Sequence, residues 1–280
     1  MIVLVTGCST GIGLHTAVAA AEAGWTVVAT MRDLSRQDAL LQAASAAGVT
    51  VDVRRLDVTS WESIQDCVAG VVDKYGRLDA VVNNAGVGNT VPTIEMASLE
   101  AYRANIEVNF FGVVAMTKAA LPHLRASRGR VVTLGSTRGL VGQPFNEAYS
   151  AAKFAVEGFL ESLAPTAAGM GVTVTIVEPG PVLETAFGAN TGITRDSLIA
   201  DCGPYVDVLV PYLDWVANGG YPGAQTAREV AEVVVGALAD PRPPLRVLTS
   251  SWAKEYASRK LADVDGSAVQ AAARSWLGLP

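Results

Sequence analysis

Short runs of aliphatic and β-branched residues recur along this chain, each followed by a stretch of helical character. That alternation limits the folds open to it more than any other feature. "IVLV" leads into a helical stretch from about Ile12 to Ala23, "WTVVAT" precedes "SRQDALLQAASAAG", and "VDVRRLDV" leads to "WESIQDCVAGVVDKYG". "LDAVVNNAG" comes before "SLEAYRANIEVNFFGVVAMTKAALPHLR", "GRVVTLGS" before "EAYSAAKFAVEGF", which "GVTVTIVEPG" follows, and "REVAEVVVGALAD" runs into "LRVLTS". Strands that are apolar throughout need cover on both faces, and alternating helices supply it around a parallel sheet. The pattern predicts an α/β fold, a doubly wound Rossmann-type parallel sheet of about seven strands, with the ligand beyond the carboxyl ends of the strands. No linker, repeat or low-complexity tract divides residues 1–280, so one dinucleotide-binding and catalytic domain is expected. One segment departs from the pattern: Thr185 to Thr226 is rich in Gly, Asn and Pro and carries Phe187, Tyr205, Tyr212, Trp215 and Tyr221. An insert of that length is expected to be a substrate lid, at about 185–226, and its aromatics point to an apolar pocket.

Composition narrows the function. The net charge is −6 and no Lys/Arg-rich run is present, which argues against a nucleic-acid partner. Cys8, Cys67 and Cys202 are widely spaced and form neither a metal pattern nor a disulfide framework, so a reducing, cytoplasmic setting is expected. With His15 and His123 the only histidines, no metal site is expected. "MIVLV" follows no basic segment, which predicts no signal peptide, and no apolar run reaches the length of a membrane span.

The first strand ends in "TGCSTGIG", which places Gly7, Gly11 and Gly13 between a strand and a helix. Glycine permits a tight turn and a close backbone approach, and a helix N-terminus offers free N–H groups to a pyrophosphate. The spacing is neither the G-x-G-x-x-G fingerprint nor a nucleoside-triphosphate loop. Cys8 reads as a small filler whose helix-end position would make it somewhat reactive.

In "EAYSAAKFAVEGF", Tyr149 and Lys153 are four residues apart, which on a helix stacks phenol and ammonium on one face. A surface tyrosine over a lysine stem would need no function. A proton-transfer site gives the pair a use, because a free phenol has a pKa of roughly 10 and a neighbouring cation favours the phenolate. Taken together, the motifs say more. "TGCSTGIG", "NNAG", "YSAAK" and "PG" stand in the order and spacing of the short-chain dehydrogenase/reductase family, which the first two thirds of the chain resembles. A narrower likeness, in "TGCSTGIGLH", "ATMRDL", "GQPFNEAYSAAKFAVEGFLESLA" and "GPVLETAF", is to the estrogenic 17-beta-hydroxysteroid dehydrogenase and retinol dehydrogenase branch. That branch handles steroid or retinoid alcohols and ketones with NADP(H).

The resemblance implies a role for each matching residue. Tyr149 is the general acid/base, Lys153 holds the nicotinamide ribose, Ser136 hydrogen-bonds the substrate oxygen, and the backbone of Asn109 holds a water in the proton relay. Ser136 could instead be a hydrolase nucleophile, but "LGSTRG" lacks the Gly two residues before it that a nucleophile elbow needs. Cofactor contacts are implied for Gly7, Ser9, Thr10, Gly11, Ile12 and Gly13, for Asp57 and Val58, and for Asn84, Ala85 and Gly86. The same holds for Pro179, Gly180, Val182 and Thr185, while Asn83 braces the sheet. Met31 stands where NAD enzymes of the family carry Asp, and Arg32 follows it, matching an NADP-associated arginine; a guanidinium suits a phosphate. NADP(H) is therefore the expected cofactor, with NAD(H) as the alternative, and a surface Arg32 paired with Asp33 as the plain reading.

Three departures from the family are visible. Ala152 replaces a serine, Glu184 occupies the position of the expected threonine with Thr185 one residue later, and no histidine follows His123 to grip the far end of a steroid. The expectation is an NADP(H)-dependent carbonyl reductase or alcohol dehydrogenase acting on a hydrophobic substrate. A 3-oxoacyl or polyketide-type ketoreductase and a non-catalytic NADP(H)-sensing protein are the alternatives. The apolar faces of "NFFGVVAMTKAALPHL" and "FAVEGFLESLA" predict a homodimer, or a tetramer built on it, through the two helices that pair in the family.

Overall fold

The computed structural model describes residues 1–88, 93–182, 192–221 and 223–262, together with residue 275. Seven parallel strands form one sheet: β1 Ile2–Val5, β2 Thr26–Met31, β3 Asp52–Arg55, β4 Ala80–Asn83, β5 Arg130–Leu134, β6 Thr173–Glu178 and β7 Arg246–Leu248, in the order β3-β2-β1-β4-β5-β6-β7. The order reverses between β1 and β4, and a doubly wound sheet opens its ligand crevice at such a reversal. This is the Rossmann-type sheet expected from the sequence.

Period-two geometry divides the five inner strands between two cores. Val3 and Val5 of β1 pack into one hydrophobic cluster with α1 (Gly11–Glu22), α2 (Asp38–Ala46) and α9 (Ala227–Ala239). Ile2 and Leu4 pack into the other with α3 (Trp61–Tyr75), α5 (Gly112–Ser127) and α6 (Glu147–Ala168). Each fully buried aliphatic side chain contributes about 1.5–3 kcal/mol. Caps fix the helix starts: Ser60 accepts a hydrogen bond from the Ser63 amide at the head of α3, and Thr226 and Glu229 form a reciprocal capping box on α9.

Three features were not read from the sequence. The edge strand β3 is only half buried, with Asp52 bound by Arg54, Lys74 and Tyr75; an edge tolerates charge that a central strand would not. The long "SLEAYRANIEVNFFG…" stretch is not one helix but α4 (Leu99–Ile106), a π-turn at Glu107–Phe111 and then α5. Beyond the lid, α10 (Ser251–Ala262) folds back toward the carboxyl ends of β5 and β6. Within the lid the described residues form α7 (Arg195–Asp201) and α8 (Val206–Ala217); Phe187 lies outside the described residues.

Candidate active site

The turn after β1 approaches β4 closely. Gly7 and Gly11 have φ of 72° and 61°, conformations that L side chains rarely adopt. A Cβ on Gly7 would lie 2.8 Å from the Ala85 Cα, and one on Gly13 would lie 2.3 Å from the Gly7 carbonyl oxygen. Thr10 caps α1 in extended backbone, between the half-buried Ser9 and Ile12. The "NNAG" segment locks this loop in place. The Asn84 side chain donates to the Thr6 and Gly7 carbonyls at 2.8 and 3.0 Å, and the Asn84 and Ala85 amides both donate to the Thr6 hydroxyl at 2.9 Å. Asn83 donates to the Thr117 and Thr133 hydroxyls and so braces β4 against α5 and β5. A glycine cradle at a helix N-terminus, braced from below by the Asn84 side chain, fits a dinucleotide pyrophosphate.

Arg32 is exposed just past β2. Asp33 accepts from the Ser35 amide at 3.0 Å, and among the described residues no ion pair joins Asp33 to Arg32. Asp57 accepts from the Thr59 amide and hydroxyl at 3.0 and 2.8 Å. Burial pushes its carboxyl upward, but the Thr59 bonds and the Arg32 and Arg55 charges outweigh this and hold it below the usual range. Val58 packs against Gly112 at the start of α5, where a Cβ would lie 3.0 Å from its Cγ2.

Four elements bring the reactive groups together. Tyr149 and Lys153 lie in the first two turns of α6, and both are buried. The Lys153 ammonium donates to the Leu134 carbonyl at 2.7 Å, where β5 ends, and sits 5.6 Å from the centre of the Tyr149 ring. Ser136 follows β5 in extended backbone, and its hydroxyl accepts from the Arg138 amide at 3.2 Å. The turn it opens lies on α6, since a Cβ on Gly139 would be 2.9 Å from the Lys153 carbonyl oxygen. Asn109 is fully buried in the π-turn. Its Oδ1 accepts from the Val87 amide at 3.1 Å, and its Nδ2 donates to the Val87 and Asn105 carbonyls and to Asn105 Oδ1. Gly86 must be glycine here, because a Cβ would lie 2.7 Å from Asn109 Oδ1. Single π-turns of this kind gather at functional sites.

Beneath this group lies a feature the sequence reading missed. Glu178, fully buried at the end of β6, accepts from the Ser136 amide at 2.7 Å. Burial, and then a hydrogen bond and charge shared with the buried Glu157, hold the Glu178 carboxyl well above the usual carboxylate range. Glu157, one turn beyond Lys153 on α6, pairs with Arg246 at 2.6 Å. Glu178 therefore stands between the Ser136 turn, whose amide it accepts from, and the buried Glu157 of α6. Glu178 in "VEPG" offered no motif signal, because only the pairing of β6 with α6 makes it a neighbour of Glu157.

Pro179 accepts from the Thr137 amide at 3.0 Å, Gly180 lies against the Trp252 ring, and Val182 bridges Gln225. Thr185 lies outside the described residues, as does the lid around it. Of the lid aromatics, Tyr212, Trp215 and Tyr221 cluster with Arg138, Gln143 and Asn146 and, from α10, with Trp252 and Tyr256, while Tyr205 donates to Glu95 instead. Cys8 is a filler and no more: it is fully buried, its thiol donates to the Val5 carbonyl, and burial pushes it up to about 12, so helix-end activation does not hold. Among the described residues no three His, Cys, Asp or Glu side chains gather to hold a metal.

Strand order and glycine cradle define a dinucleotide-binding α/β protein. The model of the short chain dehydrogenase family matches residues 1–196, and the chain belongs to that family as an NAD(P)-dependent oxidoreductase. It is 39% identical over 274 residues to retinol dehydrogenase 8 of Bos taurus, covering 95% of this chain and 86% of the relative. It is 38% identical over 274 residues to 17-beta-hydroxysteroid dehydrogenase type 1 of Homo sapiens, covering 95% of this chain and 82% of the relative. Among solved structures, a short-chain dehydrogenase from Streptomyces avermitilis superimposes with a TM-score of 0.76 at 30% identity, covering 98% of this chain and 97% of the other.

Proposed function

We propose that this enzyme moves hydride between NADP(H) and a hydrophobic ketone or alcohol, with Tyr149 as general acid and base. When bound, the nicotinamide supplies or takes up the hydride. The observation that carries the reading is the buried Tyr149–Lys153 pair, with the ammonium fixed on the Leu134 carbonyl at the mouth of the sheet. In the reducing direction Tyr149 gives its hydroxyl proton to the substrate oxygen, Ser136 donates a second hydrogen bond to that oxygen, and Lys153 stabilises the resulting phenolate. Asn109, held by its neighbours through four bonds, keeps the π-turn in shape for the proton path. The names of the relatives support a retinoid-like or steroid-like substrate skeleton, and the aromatic wall suits one.

Arg32 supports NADP(H) over NAD(H), because it is exposed beyond β2 with no carboxylate holding it among the described residues. The outer faces of α5 and α6 support a homodimer. Between them Val114, Leu121, Pro122, Phe159, Leu163 and Met170 line an apolar groove, and Phe111 and Met170 are 49% and 54% exposed. A twofold axis across this groove would cover it with its own copy. The function is tested by mixing the protein with NADPH and a panel of hydrophobic ketones and following loss of cofactor absorbance. Turnover of at least one ketone is expected; NADPH binding without turnover of any would overturn the reading in favour of a sensor.

A further inference from the structure

Arg138 stands two residues past Ser136, half-buried, with its guanidinium carbon 5.8 Å from the centre of the Tyr149 ring. An arginine keeps its charge at any working pH and, when withdrawn from water, needs an anion or a full set of acceptors. The other arginines enclosed by this fold have them: Arg54 pairs with Asp52, Arg246 with Glu157, and Arg130 donates to three carbonyls. Among the described residues Arg138 has only neutral partners. Its Nε donates to Gln143 Oε1 at 2.6 Å. Tyr221 in turn donates to Gln143 Oε1 at 3.2 Å and meets the Tyr212 hydroxyl at 3.3 Å. Burial raises Tyr212 and pushes Tyr256 up to about 12, so neither phenol can serve as a counter-ion. The loop that carries Gln143 is held under strain: Phe145 has φ of 56°, a costly conformation for a bulky residue, and packs on Tyr212 at 5.6 Å.

We infer that Arg138, set in place by Gln143, binds a carboxylate on the substrate, so that the preferred substrates are keto acids or hydroxy acids with a hydrophobic body. A guanidinium presents a planar fork of donors that matches a carboxylate. Its place beside Tyr149 sets the carboxylate close to the carbonyl that is reduced, and the half-buried Trp252 ring, backed by the buried Tyr256, offers a face to the apolar body. The inference rests on the function proposed above and narrows its substrate class; a neutral retinoid or steroid would leave the guanidinium without an anion.

The test compares phenyl-bearing 2-, 3- and 4-oxo acids with their methyl esters, using NADPH and the full-length enzyme. At least one acid is expected to exceed its ester by about tenfold in kcat/KM, and Arg138→Gln to lower that acid-to-ester ratio by about tenfold, with Arg138→Lys restoring part of it. Esters equal to or better than the acids in the wild type would overturn the inference while leaving the proposed function standing, and that comparison needs no variant to fold. An unchanged ratio in Arg138→Gln would also overturn it. If neither acids nor esters are turned over, calorimetric titration of the NADP-saturated enzyme with the phenyl-bearing hydroxy acids decides: binding that Arg138→Gln weakens supports the carboxylate site with the oxidoreductase reading in question, and absence of binding sinks the inference.

Discussion

At the scale of single residues, the site rests on two pairs that share helix α6. In the first, Tyr149→Phe removes a proton donor and little shape. It should lower kcat by more than tenfold, about 1.4 kcal/mol, while the Kd for NADPH measured by fluorescence titration stays near the wild-type value; a mutant retaining more than a tenth of kcat would remove Tyr149 from the acid role. In the second pair, Glu178 holds a proton in the folded protein to a pH well above the value of 4.5 at which a glutamate in the unfolded chain releases it. The folded state thus binds the extra proton, so this contribution to stability is complete below about 4.5 and falls away as pH rises through the raised value. Glu178→Gln keeps an acceptor for the Ser136 amide and a donor for Glu157 without any proton to lose. Its Tm should therefore overtake the wild type as pH rises from 5 to 9; two parallel Tm curves would show that the carboxyl is ionised in the fold. Arg32→Ala should raise the KM for NADPH far more than that for NADH, and equal effects would leave Arg32 as a surface residue.

At the scale of elements, the β1–α1 turn and β4 are packed backbone to backbone. Gly13→Ala would place a methyl group 2.3 Å from the Gly7 carbonyl oxygen and from Asn84 Nδ2. Because one of those neighbours is backbone, the turn itself must move, and the N–H groups of the cradle move with it. We expect the NADPH Kd to rise by about tenfold or more, roughly 1.4 kcal/mol, in a protein whose far-ultraviolet circular dichroism is unchanged. An unaltered Kd would place the pyrophosphate away from this turn. The Ser136 turn is set in the same way, by glycine contact: Gly135 lies so close to Glu178 Oε1 that a Cβ would stand 2.5 Å away.

At the scale of the whole molecule, one face of α6 is buried and the opposite one is open. Val156 is fully buried against the sheet, so an aspartate there would test folding and not assembly. Met170, at the rim of the groove between α5 and α6, is exposed and is the better probe. Light scattering at micromolar concentration should give the mass of a dimer or tetramer for the wild type and a lower mass for Met170→Asp. A monomeric wild type would end the dimer proposal, and an assembly that survives Met170→Asp would move the interface elsewhere.

By itself the sequence determined the sheet, because strands apolar throughout, such as "IVLV" and "VTIVE", have no stable place except between two layers of helices. It also determined the glycine cradle and the Tyr149–Lys153 pair, since a turn between strand and helix and a four-residue helical spacing are local rules that need no distant partner. Only the tertiary structure decided the rest. The Glu157–Glu178 pair joins α6 to β6, Arg138 meets Gln143 and Tyr221 across a strained loop, and Trp252 reaches Gly180 from a helix more than seventy residues along the chain. Each of these depends on burial, and it was burial that made Glu178 a proton holder and left Arg138 a cation among neutral partners. Burial is decided by where the elements pack, and no spacing within a single segment encodes it.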